Sequence, residues 1–148
     1  MKYKTDWVKP ENIERNWHLV DVGDQVLGRV ATQIASLLIG KHKVNKSPNL
    51  DSGDYVVVIN SDNVKVTGRK ATQKMYRRHS GYPGGFKEIT FDKQMKKDST
   101  FVIAEAVKNM IPKNKLRDGR MLRLFVYPGA THKHDAQKPV EYKLLSAK

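Results

Sequence analysis

Four stretches of this chain hold residue types at spacings that chemistry could use. The first is Gly23-Asp-Gln-Val-Leu-Gly28-Arg29-Val30, with the glycine spacing of a phosphate loop, G-x-x-x-x-G-K-[ST]. Such a loop needs lysine on the terminal phosphates and a hydroxyl on magnesium. Arg29 and Val30 stand in those places, and valine cannot ligate a metal. Gly23 and Asp24 are therefore read as a turn, with a nucleotide-dependent enzyme as a rival function. The second is Ser80-Gly-Tyr-Pro-Gly-Gly85. Its glycines lack the G-x-G-x-x-G order of a dinucleotide loop, and no acidic ribose partner follows a preceding strand. It is either a plain flexible loop or a place where backbone without Cβ atoms lies close to a phosphate-sugar chain. The cations just before it favour the second reading. Tyr76 and Tyr82 either stack on exposed bases or bury part of their rings in the core.

The third stretch is Thr131-His132-Lys133-His134-Asp135. Two histidines and an aspartate begin a metal site, but zinc takes three or four ligands. The chain has no cysteine. His18 is assigned to a strand, while His42 and His79 sit in basic stretches that repel a dication. No metal, cofactor or small-molecule substrate is expected, and the histidines are assigned to phosphates or to packing of an extended tail. Asp51, Asp54 and Asp62 flank a strand where an α/β active site could lie. Yet 51–54 reads equally well as a turn, and no nucleophile or base stands out beside it, so no enzyme is expected. The fourth stretch is Pro112-Lys-Asn-Lys-Leu-Arg-Asp-Gly-Arg120, with Arg123 beyond. On a short helix, Leu116 and Leu122 should face inward while Lys113, Arg117 and Arg120 point out. Lys113 with Arg117, and Arg117 with Arg120, are then like-charged neighbours, a small cost that a polyanion would offset.

Charge decides among these. The chain carries 28 Lys/Arg against 15 Asp/Glu, a net charge of +13. Residues 63–87 hold seven Lys/Arg and no acid, and residues 106–134 hold seven against Asp118 alone. These two windows account for the whole net charge. A basic membrane-surface helix would set bulky apolar residues opposite the charge, and TGRKATQKMYRRHSG does not. The N-terminal stretch lacks an apolar signal-peptide core, and no apolar run approaches the roughly 20 residues that cross a bilayer. A soluble cytoplasmic protein bound to a nucleic acid is expected, with no membrane partner.

Hydrophobic periodicity supplies the elements that position these residues. Residues 18–22 and 54–60 read as strands, the second a β-branched run suited to a sheet buried on both faces. Between them, residues 27–39 place Leu27, Val30, Ala31, Ile34, Leu37 and Leu38 on one helical face, and Gly40 stops the helix. Lys41, His42 and Lys43 suit the negative end of its dipole. Beyond the turn at 60–63, short strands are expected at 64–66 and 87–91 and a short exposed helix at 69–78. A helix over about 100–111 capped by Asp98 or Ser99 should follow, then a helix at 114–122 and a last strand at 122–127. The expected fold class is α/β: a single domain over residues 1–148, three α/β/α layers around a mainly parallel four-stranded sheet. Its core is placed at about 17–127, with an N-terminal arm over 1–16 and a C-terminal tail over 130–148.

Several long motifs, in order, resemble the bacterial large-subunit ribosomal protein thirteen family. They are residues 17–21 (WHLVD), 27–32 (LGRVAT), 40–43 (GKHK), 53–68 (GDYVVVINSDNVKVTG), 74–76 (KMY) and 79–85 (HSGYPGG), then 106–116 (AVKNMIPKNKL), 124–129 (LFVYPG) and 132–139 (HKHDAQKP). Lys133 and Asp135 depart from the residues usual there. The resemblance implies a compact α/β fold, binding to 23S rRNA in the 50S subunit beside neighbouring ribosomal proteins, and a role early in that subunit's assembly. It implies no catalytic centre. Related proteins in other lineages act on messenger RNA outside the ribosome, which makes messenger RNA a further candidate partner and a free-standing regulatory RNA-binding protein a second rival. The expected rRNA contacts are Arg69, Lys70, Lys74, Arg77, Arg78 and His79 in the first window. In the second they are Lys113, Lys115, Arg117, Arg120 and Arg123. Lys41, His42, Lys43, His132 and His134 are secondary candidates.

Overall fold

The computed structural model describes residues 8–144. The first residues of the expected arm and the last of the expected tail lie outside them. Strand β1 (Trp17–Asp21) leads into helix α1 (Leu27–Ile39), which returns the chain to strand β2 (Tyr55–Ile59), paired parallel to β1. The apolar stripe foreseen on α1 is its buried face. Gly40 ends it in the left-handed conformation, φ 77°, with its N–H on the carbonyls of Leu37 and Ser36. The first sixty residues therefore form the βαβ unit that their periodicity predicts.

The chain then forms α2 (Lys70–Gln73), β3 (Met75–His79), β4 (Phe86–Thr90), α3 (Phe91–Lys97), α4 (Ser99–Met110), α5 (Leu116–Met121), β5 (Leu124–Val126) and β6 (Val140–Glu141). The main sheet has four strands in the order β5-β2-β1-β6, all parallel. Helices α1 and α4 cover one face, where Val20, Val56 and Val58 join Ile34, Leu38, Ile103 and Val107 in the core. The opposite face carries Trp17, Tyr55 and Phe125 as a stacked row. His134 lies on it at the head of a 3₁₀ turn, Asp135–Gln137. The α/β class with helical elements on both sides of a parallel sheet is thus observed. Its fourth strand comes from residues 140–141, inside the stretch expected to be tail.

Two local expectations fail. The helix expected over 69–78 is four residues long, and residues 75–79 instead pair antiparallel with 86–90 as a hairpin. Arg, Lys and Met are good helix formers, but intrinsic propensity is worth only a few tenths of a kcal/mol per residue, and ladder pairing across a turn outweighs it. The strand expected at 64–66 reduces to one bridge, Val26 with Lys65. Helix α3 was not foreseen. Asp98 caps α4 as expected, its carboxylate accepting from the N–H groups of Thr100 and Phe101.

The segment before β2 is packed hard against α1. A Cβ on Gly53 would sit 1.8 Å from the carbonyl oxygen of Leu38, a backbone atom that cannot swing aside. Gly53→Ala is expected to cost about 1–3 kcal/mol by overpacking. A lower urea midpoint at an unchanged m-value would show it.

Candidate nucleic-acid interface

The first basic window folds into α2 and the β3–β4 hairpin. Arg69, Lys70, Arg77, Arg78 and His79 are exposed, and Lys74 is half-buried with its ammonium 5.4 Å from the centre of the Tyr76 ring. Among described residues, the one acidic partner within this hairpin is Glu88, 3.2 Å from Arg77 Nε across the strands. Tyr76 points the other way, edge-on to Phe101 of α4 with centroids 5.9 Å apart. Burial, and secondarily the charge of Glu105, raises the pKa of its phenol. Tyr82 is exposed at the hairpin tip. The choice left open for the two tyrosines therefore resolves differently for each: Tyr76 packs and Tyr82 does not. Arg29, Lys97 and Lys108 line a broad groove with Lys70, Arg78 and Lys87 between the hairpin and the helices. Lys108 belongs to the second basic window, while Arg29 and Lys97 were not expected there: Arg29 reads in sequence only as a failed phosphate-loop lysine, and Lys97 belongs to the unforeseen α3.

The second window divides. Lys113 and Lys115 are exposed and Arg117 is half-buried. Arg120 and Arg123 are buried at 3% and 7%, which corrects the expectation that Arg120 points out and removes both from a surface contact. Leu122, expected inside, is 79% exposed. The cause is Asp51. Its carboxylate takes Arg123 through two nitrogens, Nη1 at 2.5 Å and Nη2 at 2.7 Å, and Arg120 Nε at 3.3 Å. Burial, the largest single influence on Asp51, raises its pKa. Hydrogen bonds and charge from Arg123 and Arg120 together outweigh that and hold it below its ordinary value.

Asp54 does the same for the loop after α1. It is 0% exposed and accepts from the Asn16 N–H at 3.0 Å, His18 Nε2 at 3.0 Å, His42 Nε2 at 2.9 Å and the Lys43 ammonium. Lys41 and His42 remain exposed while Lys43 is half-buried. Sequence reasoning kept His18 and His42 apart, yet their ligand atoms and that of Asp54 lie within 4.8 Å of one another. Such a set has ligand spacing for a cation. However, both imidazoles share one carboxylate oxygen and an ammonium holds the other, so the group reads as a fully bonded anion among donors.

The three aspartates flank β2 as expected, and each carboxylate is taken up by hydrogen bonds of the chain's own groups. Asp51 and Asp54 precede β2, whereas Asp62 follows it and accepts from Ser99 Oγ. The Gly23 turn is structural as well. The Gly23 N–H donates to Asp21 Oδ1 at 2.9 Å, Asp24 is left-handed at φ 60°, and Val30 is 1% exposed in the core. The tail histidines are both half-buried. His134 packs tilted against Phe125, ring centres 4.3 Å apart, and the His134 N–H donates to His132 Nδ1 at 3.2 Å. Both rings thus pack within the chain's own tail.

Among described residues, no helix is long and apolar enough to cross a membrane. The family model described as ribosomal protein L13 matches residues 15–133. A protein of Hahella chejuensis named large ribosomal subunit protein uL13 is 49% identical over 141 residues, covering 95% of this chain and 99% of that protein. Proteins of the same name from Pseudomonas entomophila and Pseudomonas aeruginosa are 52% identical over the same shares. A parallel α/β sheet carrying an exposed basic hairpin, colinear with these relatives over nearly the whole chain, therefore belongs to the ribosomal protein L13 family, proteins of the large ribosomal subunit.

Proposed function

We propose that this chain is a structural constituent of the cytoplasmic large ribosomal subunit that binds 23S rRNA, supports early assembly of the 50S particle and has no catalytic role. The observation that carries this reading is the hairpin. It projects from the core with Arg69, Lys70, Arg77, Arg78 and His79 in solvent and one acidic partner within it. Lys41, Lys113 and Lys115 extend the basic surface. Arg120 and Arg123 act indirectly, by fixing the segment that presents Lys113 and Lys115.

The mechanism is charge neutralisation with shape selection. Each cation on a phosphate releases condensed counterions, so affinity falls with salt, while folded RNA shape selects the site. Neighbouring ribosomal proteins are expected partners, and messenger RNA is a further one where RNA of similar shape is available. The Arg77→Ala/Arg78→Ala double variant should keep the fold by circular dichroism. Its plot of log affinity against log salt for 23S rRNA should be shallower by roughly 1.5 units, the share of two phosphate contacts. An unchanged slope removes both arginines from the interface. Sedimentation of an extract tests the reading as a whole: the chain should travel with the large subunit, and a free pool alone would favour the regulatory alternative.

A further inference from the structure

The hairpin ends in a shaped turn. Tyr82-Pro83-Gly84-Gly85 has proline second and glycine third at φ 69°, and the Gly85 N–H donates to the Tyr82 carbonyl at 2.9 Å, the signature of a type II turn. The Ser80 N–H donates to the Gly85 carbonyl at 3.2 Å and closes the loop. A Cβ on Gly85 would sit 2.0 Å from Ser80 Oγ, so the turn is packed against itself. The Gly81 N–H donates to His79 Nδ1 at 2.9 Å, which pins that ring.

This turn holds large aromatic surface in water. Tyr82 is 74% exposed and Phe86 is 53% exposed. His79 and Phe86 are direct cross-strand partners, so their side chains share one face of the hairpin. Alternation puts Arg77, with its partner Glu88, and the exposed Met75 on that same face, while Tyr76 and Arg78 lie on the other, toward α4. Exposed rings beside an arginine, on a turn closed by its own hydrogen bonds at the end of a basic hairpin, match the surface that grips single-stranded nucleic acid. There the bases stack on rings and the backbone follows the charge. A duplex hides its base faces and offers those rings nothing.

We infer that the hairpin tip is a stacking platform for unpaired nucleotides, with Tyr82, Phe86 and His79 taking base faces and Arg77 an adjoining phosphate. This rests on the RNA-binding reading and refines it: the tip selects single-stranded or looped RNA, and the rest of the basic surface binds either form.

The test uses the full chain and its Tyr82→Leu/Phe86→Leu variant, which keeps apolar bulk and removes the rings. The probes are an oligoadenylate of about twelve nucleotides and an RNA duplex of the same length. The variant should lose about tenfold or more in affinity for the single strand, with an unchanged salt slope and unchanged affinity for the duplex. Equal losses on both probes, or none on the single strand, overturn the stacking role while the RNA-binding reading stands. A wild-type chain that binds neither probe nor 23S rRNA overturns both. Retained affinity for both probes, with loss only of association to neighbouring ribosomal proteins, would reassign the tip to a protein contact and also overturn the proposal.

Discussion

Asp51→Ala is expected to cost about 3–5 kcal/mol of folding stability, because it strands two buried cations at once. The side chains of Arg120 and Arg123 are 4% and 9% exposed, and neither guanidinium can be deprotonated in response. The Arg123 pairing through two nitrogens is the geometry in which arginine binds carboxylate best. Asp51→Asn keeps the shape and one acceptor but loses the charge, so it should fall between wild type and alanine. Replacing Asp51, Arg120 and Arg123 together by apolar residues of similar volume should cost less than the single alanine, since no charge is left unpaired. The acid dependence has a fixed sign. The folded-state pKa of Asp51 lies below its ordinary value. Its contribution is therefore complete above the unfolded pKa of about 3.9 and is lost as pH falls through the lower folded value. Urea unfolding of wild type and variant from pH 7 down to pH 3 checks this. A gap between them well under 1 kcal/mol at pH 7 would show that the arginines find other partners.

That pairing also explains what the sequence did and did not reveal. The βαβ unit was legible because its signal is local: an apolar stripe on residues 27–39, a glycine stop and the YVVVI run. The net charge and its two windows were legible because charge is read directly. The fate of each cation was not. Arg120 and Leu122 are two residues apart on one short segment, and local pattern puts the leucine inside. The reverse occurs because Asp51 stands 69 residues away from Arg120, and no window of sequence contains both. His18 and His42 meet for the same reason, through an aspartate 36 residues from the first and 12 from the second. The hairpin was missed because residues 75–79 are ordinary helix formers apart from the ladder they complete with 86–90. The Pro83-Gly84 turn was the signal that could have found it, since it sits between two runs of equal length.

Asp54 should behave differently from Asp51 when replaced. Alanine removes the acceptor for the Asn16 N–H, His18, His42 and Lys43 together, at an expected cost of about 3 kcal/mol. Lys43 has a flexible stem and also donates to the Glu14 carbonyl, so its charge can turn toward water as a guanidinium under α5 cannot. That is why the cost is set below that of Asp51→Ala. Asparagine is the informative variant. An asparagine oxygen in the place of Oδ1 keeps the Asn16 N–H and Lys43, and an amide nitrogen in the place of Oδ2 can donate to His18 or His42, whose Nε2 accepts in the other tautomer, whereas both oxygens of Asp51 face guanidinium groups that can only donate. Asp54→Asn should therefore exceed Asp54→Ala in stability, and by a wider margin than Asp51→Asn exceeds Asp51→Ala. Burial is the largest influence on Asp54 and raises its pKa, but the hydrogen bonds from Lys43, His18 and Asn16 and the charge of Lys43 hold it below the ordinary value. The gap between wild type and either variant is accordingly full above about pH 3.9 and closes as pH falls through the folded value. Because Asp54 ties the loop at 41–43 to both central strands, its loss should also loosen the surface carrying Lys41 and His42. Faster amide exchange in that loop, with the hairpin unaffected, would show it. Asp54→Asn at wild-type stability would mean that one good acceptor is enough and that the negative charge contributes nothing there.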